Sequence, residues 1–171
     1  MAKRASLREF QEALVRRLAD AKSAPRRDLL GLNAGDAHWL VDLADAGEIL
    51  PVPPLAAVPL TRHWFRGLAN VRGTLYGVVD LSAFCGGALT PLAGSARLVL
   101  VAQRQGANCA LLVNGTAGLR SPEDYEPDDT PPTHTHDWVS RHVRDLHGRH
   151  WHHIDVMRLI AHPEFLEASA A

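Results

Sequence analysis

Histidines are the residues of this sequence with the widest chemical range. The chain contains 10 histidines, and eight of them lie between His134 and His162. Imidazole rings bind transition metals and exchange protons near neutral pH. A cluster of this kind could therefore form a metal site, supply a catalytic base or sense pH.

The densest group, His150 to His153, lies in a segment predicted to form a β-hairpin around His147 and Gly148. In that register His142 lies opposite His153, with about 5 Å between the Cβ atoms. A tetrahedral metal site needs at least three ligands, and no nearby cysteine or clearly placed carboxylate completes one. His142 and His153 are therefore weak metal candidates. Solvated or hydrogen-bonding histidines are the favoured interpretation, and no cofactor is predicted.

Catalytic and nucleotide-binding motifs are absent from the sequence. It contains no Walker A loop, no dinucleotide-binding glycine motif, no nucleophile elbow and no H-E-x-x-H. Ser140, His142 and Asp145 offer the residue types of a triad, but a triad is a spatial arrangement, and ten histidines create such neighbours by composition. The chain is therefore predicted not to be an enzyme, with a His-dependent metalloenzyme as the remote alternative.

Composition excludes several classes of protein. The 171 residues are 46% hydrophobic and 22% charged, which is typical of one globular domain or of two small domains in close contact. The net charge of −1 argues against a nucleic-acid partner. No apolar run approaches the roughly 20 residues of a membrane helix. The two cysteines, Cys85 and Cys109, have no CxxC partner, which favours the reducing cytoplasm.

One aromatic and basic run suggests a contact surface. The run Arg62–Arg66 places bulky groups just before a glycine-rich hairpin. Because tryptophan and arginine are favoured interface anchors, the run could contact a protein partner. The alternative is a turn that closes a barrel, with Trp64 half-buried.

The local patterns predict short strands after an initial helix. A capping box at Ser6 and Glu9 and an apolar stripe predict an amphipathic helix that ends before Pro25. Gly73 is predicted to lie near a hairpin turn with positive φ. The segment 121–135 is predicted to be an extended loop, and 156–168 a helix interrupted by Pro163. Strands are predicted within 29–32, 38–43, 48–54, 71–81, 97–103, 108–113 and 138–156, which favours an all-β barrel or sandwich.

One stretch resembles a known family. Glu48-Ile49 is followed by Val58-Pro59 and then by W-F-R-G-L-A-N-V-R-G-T-L-Y-G-V-V-D-L over residues 64–81, which resembles the signature of the CheW family. The variant W-F-R-G-L-A-N-V-R-G is most similar to the PilI branch, which serves type IV pilus twitching motility. The resemblance covers roughly residues 28–165.

Two positions depart from the family pattern. Gly77 replaces a usual proline, which loosens the hairpin, and Asn114 replaces a usual aspartate, which removes a charge near the face that the family uses for partners. Alone, Asn114-Gly115 is typical of a type I′ turn. The family alignment instead predicts a bent strand here, and we favour it because tertiary context often overrides a dipeptide signal.

The resemblance implies a mainly β fold. The expected architecture is two five-stranded SH3-like β-barrels packed around a shared core, with an N-terminal helix and a short C-terminal helix. The implied division is an N-terminal amphipathic helix and linker over 1–27, a CheW-like domain over 28–165 and a C-terminal tail over 166–171.

The resemblance also implies a function and its residues. Such proteins are non-catalytic adaptors that couple the cytoplasmic tips of methyl-accepting chemoreceptors to the regulatory domain of a CheA-type histidine kinase. The expected setting is a cytoplasmic, polar receptor array that controls twitching; the alternative is a flagellar or other chemosensory system. A Glu48–Arg72 ion pair is expected across the first barrel, and a receptor groove near strands carrying Leu111 and Val113. The implied protein-binding residues are Glu48, Trp64, Arg66, Asn70, Arg72, Gly73, Leu111 and Val113.

Overall fold

The computed structural model describes residues 28–92, 94–130 and 136–169. The predicted amphipathic helix and linker over 1–27 lie outside these residues. Among the described residues, no helix is long and apolar enough to cross a membrane. The elements are β1 (Leu29–Ala34), β2 (Ala37–Asp42), β3 (Ala46–Pro51), β4 (Leu55–Ala56), β5 (Phe65–Val71), β6 (Thr74–Asp80), α1 (Leu81–Phe84), β7 (Arg97–Val101), β8 (Cys109–Val113), β9 (Gly115–Arg120), β10 (Tyr125–Pro127), β11 (Val139–Asp145), β12 (His150–Ile154), α2 (Val156–Ala161) and α3 (Pro163–Leu166).

The fold is mainly β, as predicted, and its strands form two sheets. Sheet 1 has the order β10-β11-β12-β2-β1-β9, and sheet 2 has the order β3-β7-β8-β6-β5-β4. Within the described residues each sheet has six strands, where the resemblance implied five per barrel. The shortest members are β4, with two residues, and β10, with three. Most neighbours are antiparallel, but β12 pairs with β2 and β6 pairs with β8 in parallel.

Strands β7 and β8 are buried on both faces, which explains their continuous apolar sequence. Leu98 and Leu112 pack with Tyr76 and Val78 in an apolar cluster formed by strands of sheet 2. Because side chains alternate along a strand, their neighbours, such as Val99, point to the opposite face and join a different cluster. These two strands therefore separate the interior of sheet 2 from a second core.

That second core is shared between the two sheets, as the resemblance implied. It combines Trp39 of β2 with Val79 of β6, and it includes Trp138 and Phe165 from the C-terminal part of the chain. A smaller cluster around Trp151 fills the interior of sheet 1. The core between the sheets is therefore supplied by both halves of the sequence.

The C-terminal hairpin forms as predicted, but its register was predicted wrongly. His142 lies opposite His152, and Arg141 lies opposite His153. The reason is the turn: the Asp145 N–H donates to the Arg149 carbonyl, which leaves a three-residue loop that ends at Gly148 with φ of +78°. Such a loop shifts the pairing by one residue relative to a two-residue turn.

Two further segments refine the sequence predictions. The segment 121–135 is not wholly a loop, because Tyr125–Pro127 forms β10 and pairs with β11. The predicted interruption at Pro163 is confirmed, since α2 ends at Ala161 and α3 begins at Pro163. Beyond α3, Ser169 forms a bridge with Thr61.

The turn between β5 and β6 is the two-residue turn predicted near Gly73. Arg72 has φ of +52° and Gly73 has φ of +86°. Positive φ at both central residues defines a type I′ turn, whose twist matches that of the flanking strands. The Gly73 N–H donates to the Asn70 Oδ1 over 2.9 Å, which fixes the turn further.

Replacing Gly73 with valine should lower the free energy of unfolding by about 1–3 kcal/mol, because a β-branched residue is strained at this φ. A Cβ at this position meets no atom within 4 Å, so the loss measures backbone strain rather than a clash. Urea denaturation followed by tryptophan fluorescence provides the measurement. Gly73→Asn is the matched control, since asparagine tolerates positive φ. Equal losses for valine and asparagine would contradict the assignment.

Candidate partner-binding surface

The ion pair expected between Glu48 and Arg72 is present at the tip of the β5–β6 hairpin. The Arg72 Nη2 donates to the Glu48 Oε1 over 2.8 Å. The Arg72 side chain is 79% exposed and the Glu48 side chain is 39% exposed. An ion pair in such contact with water adds only about 0–1 kcal/mol to stability. Its main effect is to hold two opposite charges in fixed positions on the surface.

The rest of the hairpin tip combines a rigid turn with exposed apolar surface. Asn70 and Gly73 are both exposed, and the Asn70 side chain caps the turn. Opposite Asn70 lies Leu75, which is 55% exposed. Sequence reasoning missed Leu75 because its apolar type alone predicts burial. The hairpin tip therefore offers charge, a fixed backbone and apolar area, which together suit a protein contact.

Trp64 does not lie on this surface, so the expectation of an exposed aromatic run is wrong. Its side chain is 6% exposed and belongs to the shared core. It meets the Phe84 ring edge-on, with 5.1 Å between ring centroids. A tryptophan buries its large apolar area wherever the fold offers a core position. A protein-binding role for Trp64 stays a prediction, and the tryptophan presents almost no surface for one.

Arg66 is directed inward by a β-bulge. The register between β5 and β6 shifts between Phe65 and Gly67, so Arg66 has no partner in the ladder. Its Nη1 donates to the Asp80 Oδ2 over 2.8 Å and to the Thr90 carbonyl over 3.0 Å. The guanidinium is therefore occupied within the chain, and a partner-binding role for Arg66 stays a prediction.

Asp80 is the centre of a buried polar network that sequence reasoning missed. Its carboxylate is fully buried and accepts from Arg66, from the Thr90 N–H over 2.7 Å and from the Thr90 Oγ1 over 2.8 Å. It also accepts from the Ala83 N–H over 3.3 Å, as the N-cap of α1. An aspartate between an apolar strand and Leu81-Ser82-Ala83 is a typical N-cap pattern, and that signal could have revealed it.

Leu111 and Val113 are also core residues rather than exposed groove residues. Leu111 is 2% exposed and Val113 is fully buried, both in the shared core. Their strand, β8, is covered on both faces, so their side chains cannot line an open groove in this conformation. A charge at Val113 would be expected to unfold the chain. Receptor binding by this region stays a prediction. If it occurs, exposed residues near Leu111 and Val113 must make the contact, because these two side chains are buried.

The two departures from the family pattern have clear structural settings. The Gly77 N–H donates to the Asn108 carbonyl over 3.0 Å, a bond that a proline could not make. The chain bends at Asn114 as predicted, but no continuous strand runs through it, because β8 ends at Val113 in sheet 2 and β9 begins at Gly115 in sheet 1. Neither Asn114 nor Gly115 has positive φ, so the alternative type I′ turn does not form. The Asn114 Oδ1 accepts from the Gly35 N–H over 2.7 Å, which fixes the β1–β2 turn.

The histidines divide between two faces of the C-terminal hairpin. On one face, the Nδ1 atoms of His142 and His152 lie 2.7 Å apart. On the other face, the His153 Nε2 lies 3.2 Å from the Asp42 carboxylate. Burial lowers the pKa of His153, and Asp42 offsets this only in part. The suggested pairing of His142 with His153 is therefore wrong.

Within the described residues, no group of three or more His, Cys, Asp or Glu side chains could hold a metal.

Neither cysteine is a reactive thiol. Burial raises the pKa of Cys85 to about 12, helped by the nearby Asp80, and raises that of Cys109 to about 11. The thiolate is the nucleophile in cysteine chemistry, so both side chains stay inert near neutral pH.

Comparison with known proteins agrees with this architecture. The chain is 32% identical over 104 residues to the protein PilI of Pseudomonas aeruginosa. The matched stretch covers 60% of this chain and 58% of PilI. It is 28% identical over 106 residues to a probable chemotaxis protein CheW of Rhizobium etli, covering 61% and 67% of the two chains. The match to PilI thus spans less than two thirds of that relative.

The fold has a solved counterpart, and the family match is extensive. The scaffolding protein TtCheW from Thermoanaerobacter tengcongensis superposes with a TM-score of 0.64 at 18% identity, covering 76% of this chain and 88% of TtCheW. At this identity the likeness shows the fold alone. Residues 28–164 match the family described as the CheW-like domain. The chain therefore belongs to the CheW-like domain family.

Proposed function

We propose that this chain is an adaptor that couples chemoreceptors to a CheA-type histidine kinase in a receptor array of the cytoplasm. CheW-family proteins are non-catalytic scaffolds, and this chain is a member of that family. The observation that carries the proposal is the family match over residues 28–164, which includes the hairpin with the Glu48–Arg72 pair.

The hairpin tip is the proposed kinase surface. A CheA-type regulatory domain is related in fold, so a barrel-on-barrel contact would use exposed residues of sheet 2. Here those residues are Asn70, Arg72, Gly73 and Leu75, together with Glu48. The receptor tip would bind separately, in the groove between the two barrels. An adaptor needs two such separable surfaces because it binds both partners at once.

The proposed output is type IV pilus twitching motility. Similarity to PilI supports this output, while similarity to a probable chemotaxis protein CheW supports a flagellar or other chemosensory system. The two can be separated by titrating the purified chain against the regulatory domains of the pilus and the flagellar kinases of the source organism. Saturable binding to the pilus kinase alone supports the proposal. Binding to the flagellar kinase alone would favour the alternative, and binding to neither would reject the adaptor function.

Replacing Arg72 with alanine should leave the melting temperature nearly unchanged and weaken kinase binding. An exposed ion pair contributes only about 0–1 kcal/mol to stability, whereas arginines at interface centres often contribute more than about 1 kcal/mol to binding. Isothermal titration of the kinase regulatory domain measures the affinity, and a receptor-tip titration should be unaffected.

Arg158→Ala is the matched control for this variant. Arg158 is another exposed arginine, paired with Asp155 at the start of α2, outside sheet 2. Its loss changes the net charge equally without altering the hairpin tip. If Arg158→Ala weakened kinase binding as much as Arg72→Ala, the effect would reflect general charge, and the hairpin would not be the kinase surface. If Arg72→Ala unfolded the chain, the pair would be structural instead.

A further inference from the structure

A cleft beside sheet 1 does not include the hairpin tip proposed to bind the kinase. It has a volume of about 730 Å³ and lies between the β1–β2 turn, the segment after α1 and the β11–β12 hairpin. Its lining includes His142 and His152, whose ring nitrogens face each other from neighbouring strands. We propose that this pair binds a divalent transition-metal ion, with Ni²⁺ and Cu²⁺ as the best fits.

The distance between the two rings fits this assignment. Metal–imidazole bonds are about 2.0–2.1 Å long, so two ligands at adjacent corners of a square-planar site lie about 2.9 Å apart. The Nδ1 atoms of His142 and His152 are already 2.7 Å apart, with ring planes at 81° to each other. In such a site each metal–nitrogen bond makes an angle of about 45° with the line that joins the two nitrogens. Both rings therefore turn away from their present hydrogen bond to direct their lone pairs at one ion. Square-planar nitrogen sites are typical of Cu²⁺ and Ni²⁺.

The present contact also fixes where one proton lies, because one of the two Nδ1 atoms must carry it. Two Nδ1 atoms in hydrogen-bond contact require one ring to donate and the other to accept. When both rings are neutral, ion binding moves the donor ring's proton from Nδ1 to Nε2. No proton is then gained or lost, and both Nδ1 atoms become ligands.

Neighbouring residues support one ring and shape the charge of the cleft. The His152 ring packs on Trp39, with 5.1 Å between centroids. Asp128 lines the cleft, and the hydrogen bond from His150 lowers the pKa of its carboxyl group, so the side chain stays negative. Asp36 adds a second negative charge, and Arg149 adds one positive charge.

Two histidine ligands limit the affinity for the transition-metal ion, and their nitrogens disfavour Mg²⁺ and Ca²⁺. No third His, Cys, Asp or Glu of the described residues joins the pair, so water completes the coordination. Cys85 lines the same cleft, but it forms no group of three possible ligands with the pair. Mg²⁺ and Ca²⁺ prefer oxygen ligands and should not bind here.

The test is isothermal titration of the untagged chain with Ni²⁺ alone, and with Mg²⁺ for comparison. We expect saturable binding of Ni²⁺ and none of Mg²⁺. His142→Ala and His152→Ala should each weaken Ni²⁺ binding by at least the roughly 10–100-fold typical of losing even a supporting residue around a metal. His147→Ala is the matched control, because His147 lies exposed in the turn of the same hairpin and should leave binding unchanged.

Two outcomes would overturn the proposal. One is Ni²⁺ binding that survives both His142→Ala and His152→Ala in variants whose circular dichroism shows them folded. The other, which needs no variant, is an electron paramagnetic resonance spectrum of the Cu²⁺-loaded chain without coupling to two imidazole nitrogens. Neither result depends on whether the chain is a kinase adaptor.

Discussion

Replacing Gly67 with alanine should destabilise the chain by more than about 3 kcal/mol, because strained φ and overpacking each cost about 1–3 kcal/mol. Gly67 has φ of +110° at the β5 bulge. A Cβ there would lie 2.2 Å from the Ala56 carbonyl oxygen and 2.9 Å from its carbon. Both are backbone atoms of the β4 edge, so no side chain can rotate away to relieve the clash. Urea denaturation should show a midpoint far below that of the unmodified chain.

Gly73→Ala separates the two causes of this loss. Gly73 also has positive φ, but a Cβ there meets nothing within 4 Å. Its substitution therefore carries backbone strain without a clash. The Gly67 variant should lose clearly more stability than the Gly73 variant. Similar losses at both positions would show that β4 moves aside easily and that the contact with Ala56 does not restrict residue 67.

Replacing Asp80 with alanine should cost about 3–5 kcal/mol, the range expected when one partner of a buried ion pair is removed. The substitution leaves the Arg66 guanidinium, whose side chain is only 18% exposed, without its counter-charge. It also removes the acceptor for both donors of Thr90 and the N-cap of α1. Thermal and urea denaturation should both show the loss.

Asp36→Ala is the matched control for Asp80, since Asp36 is an exposed aspartate in the β1–β2 turn. Its loss should change stability by less than about 0.5 kcal/mol, as is usual at the surface. The double variant Arg66→Met with Asp80→Leu should recover part of the stability lost in Asp80→Ala, because it removes both charges together. If Asp80→Ala were as stable as Asp36→Ala, the network would not contribute to the fold.

The features that could be predicted from the sequence depend on local chemistry. The turn at Gly73 follows from residue types that tolerate positive φ, and the interruption at Pro163 follows from the missing backbone N–H. The buried strands β7 and β8 follow from continuous apolar runs. The Glu48–Arg72 pair required the family resemblance, because the two residues are far apart in the sequence.

The features that could not be predicted depend on distant contacts. The burial of Trp64 is decided by distant parts of the chain, because Trp39 of sheet 1 and Trp138 join it in the shared core and Phe84 of α1 packs against it. The inward direction of Arg66 depends on a bulge, and no local pattern in the sequence marks it. The pairing of His142 with His152 depends on a single extra residue in a turn, and one residue is enough to exchange the two faces of a strand.

The strand order of the two sheets determines when each can be completed during synthesis. All described strands of sheet 2 lie between Ala46 and Val113, so this sheet has its whole sequence once Val113 has left the ribosome. In sheet 1, β2 pairs with β12, which ends at Ile154. The β1–β2 hairpin therefore leaves the ribosome before every other strand described here, yet one edge of it waits uncovered until β12 has been translated.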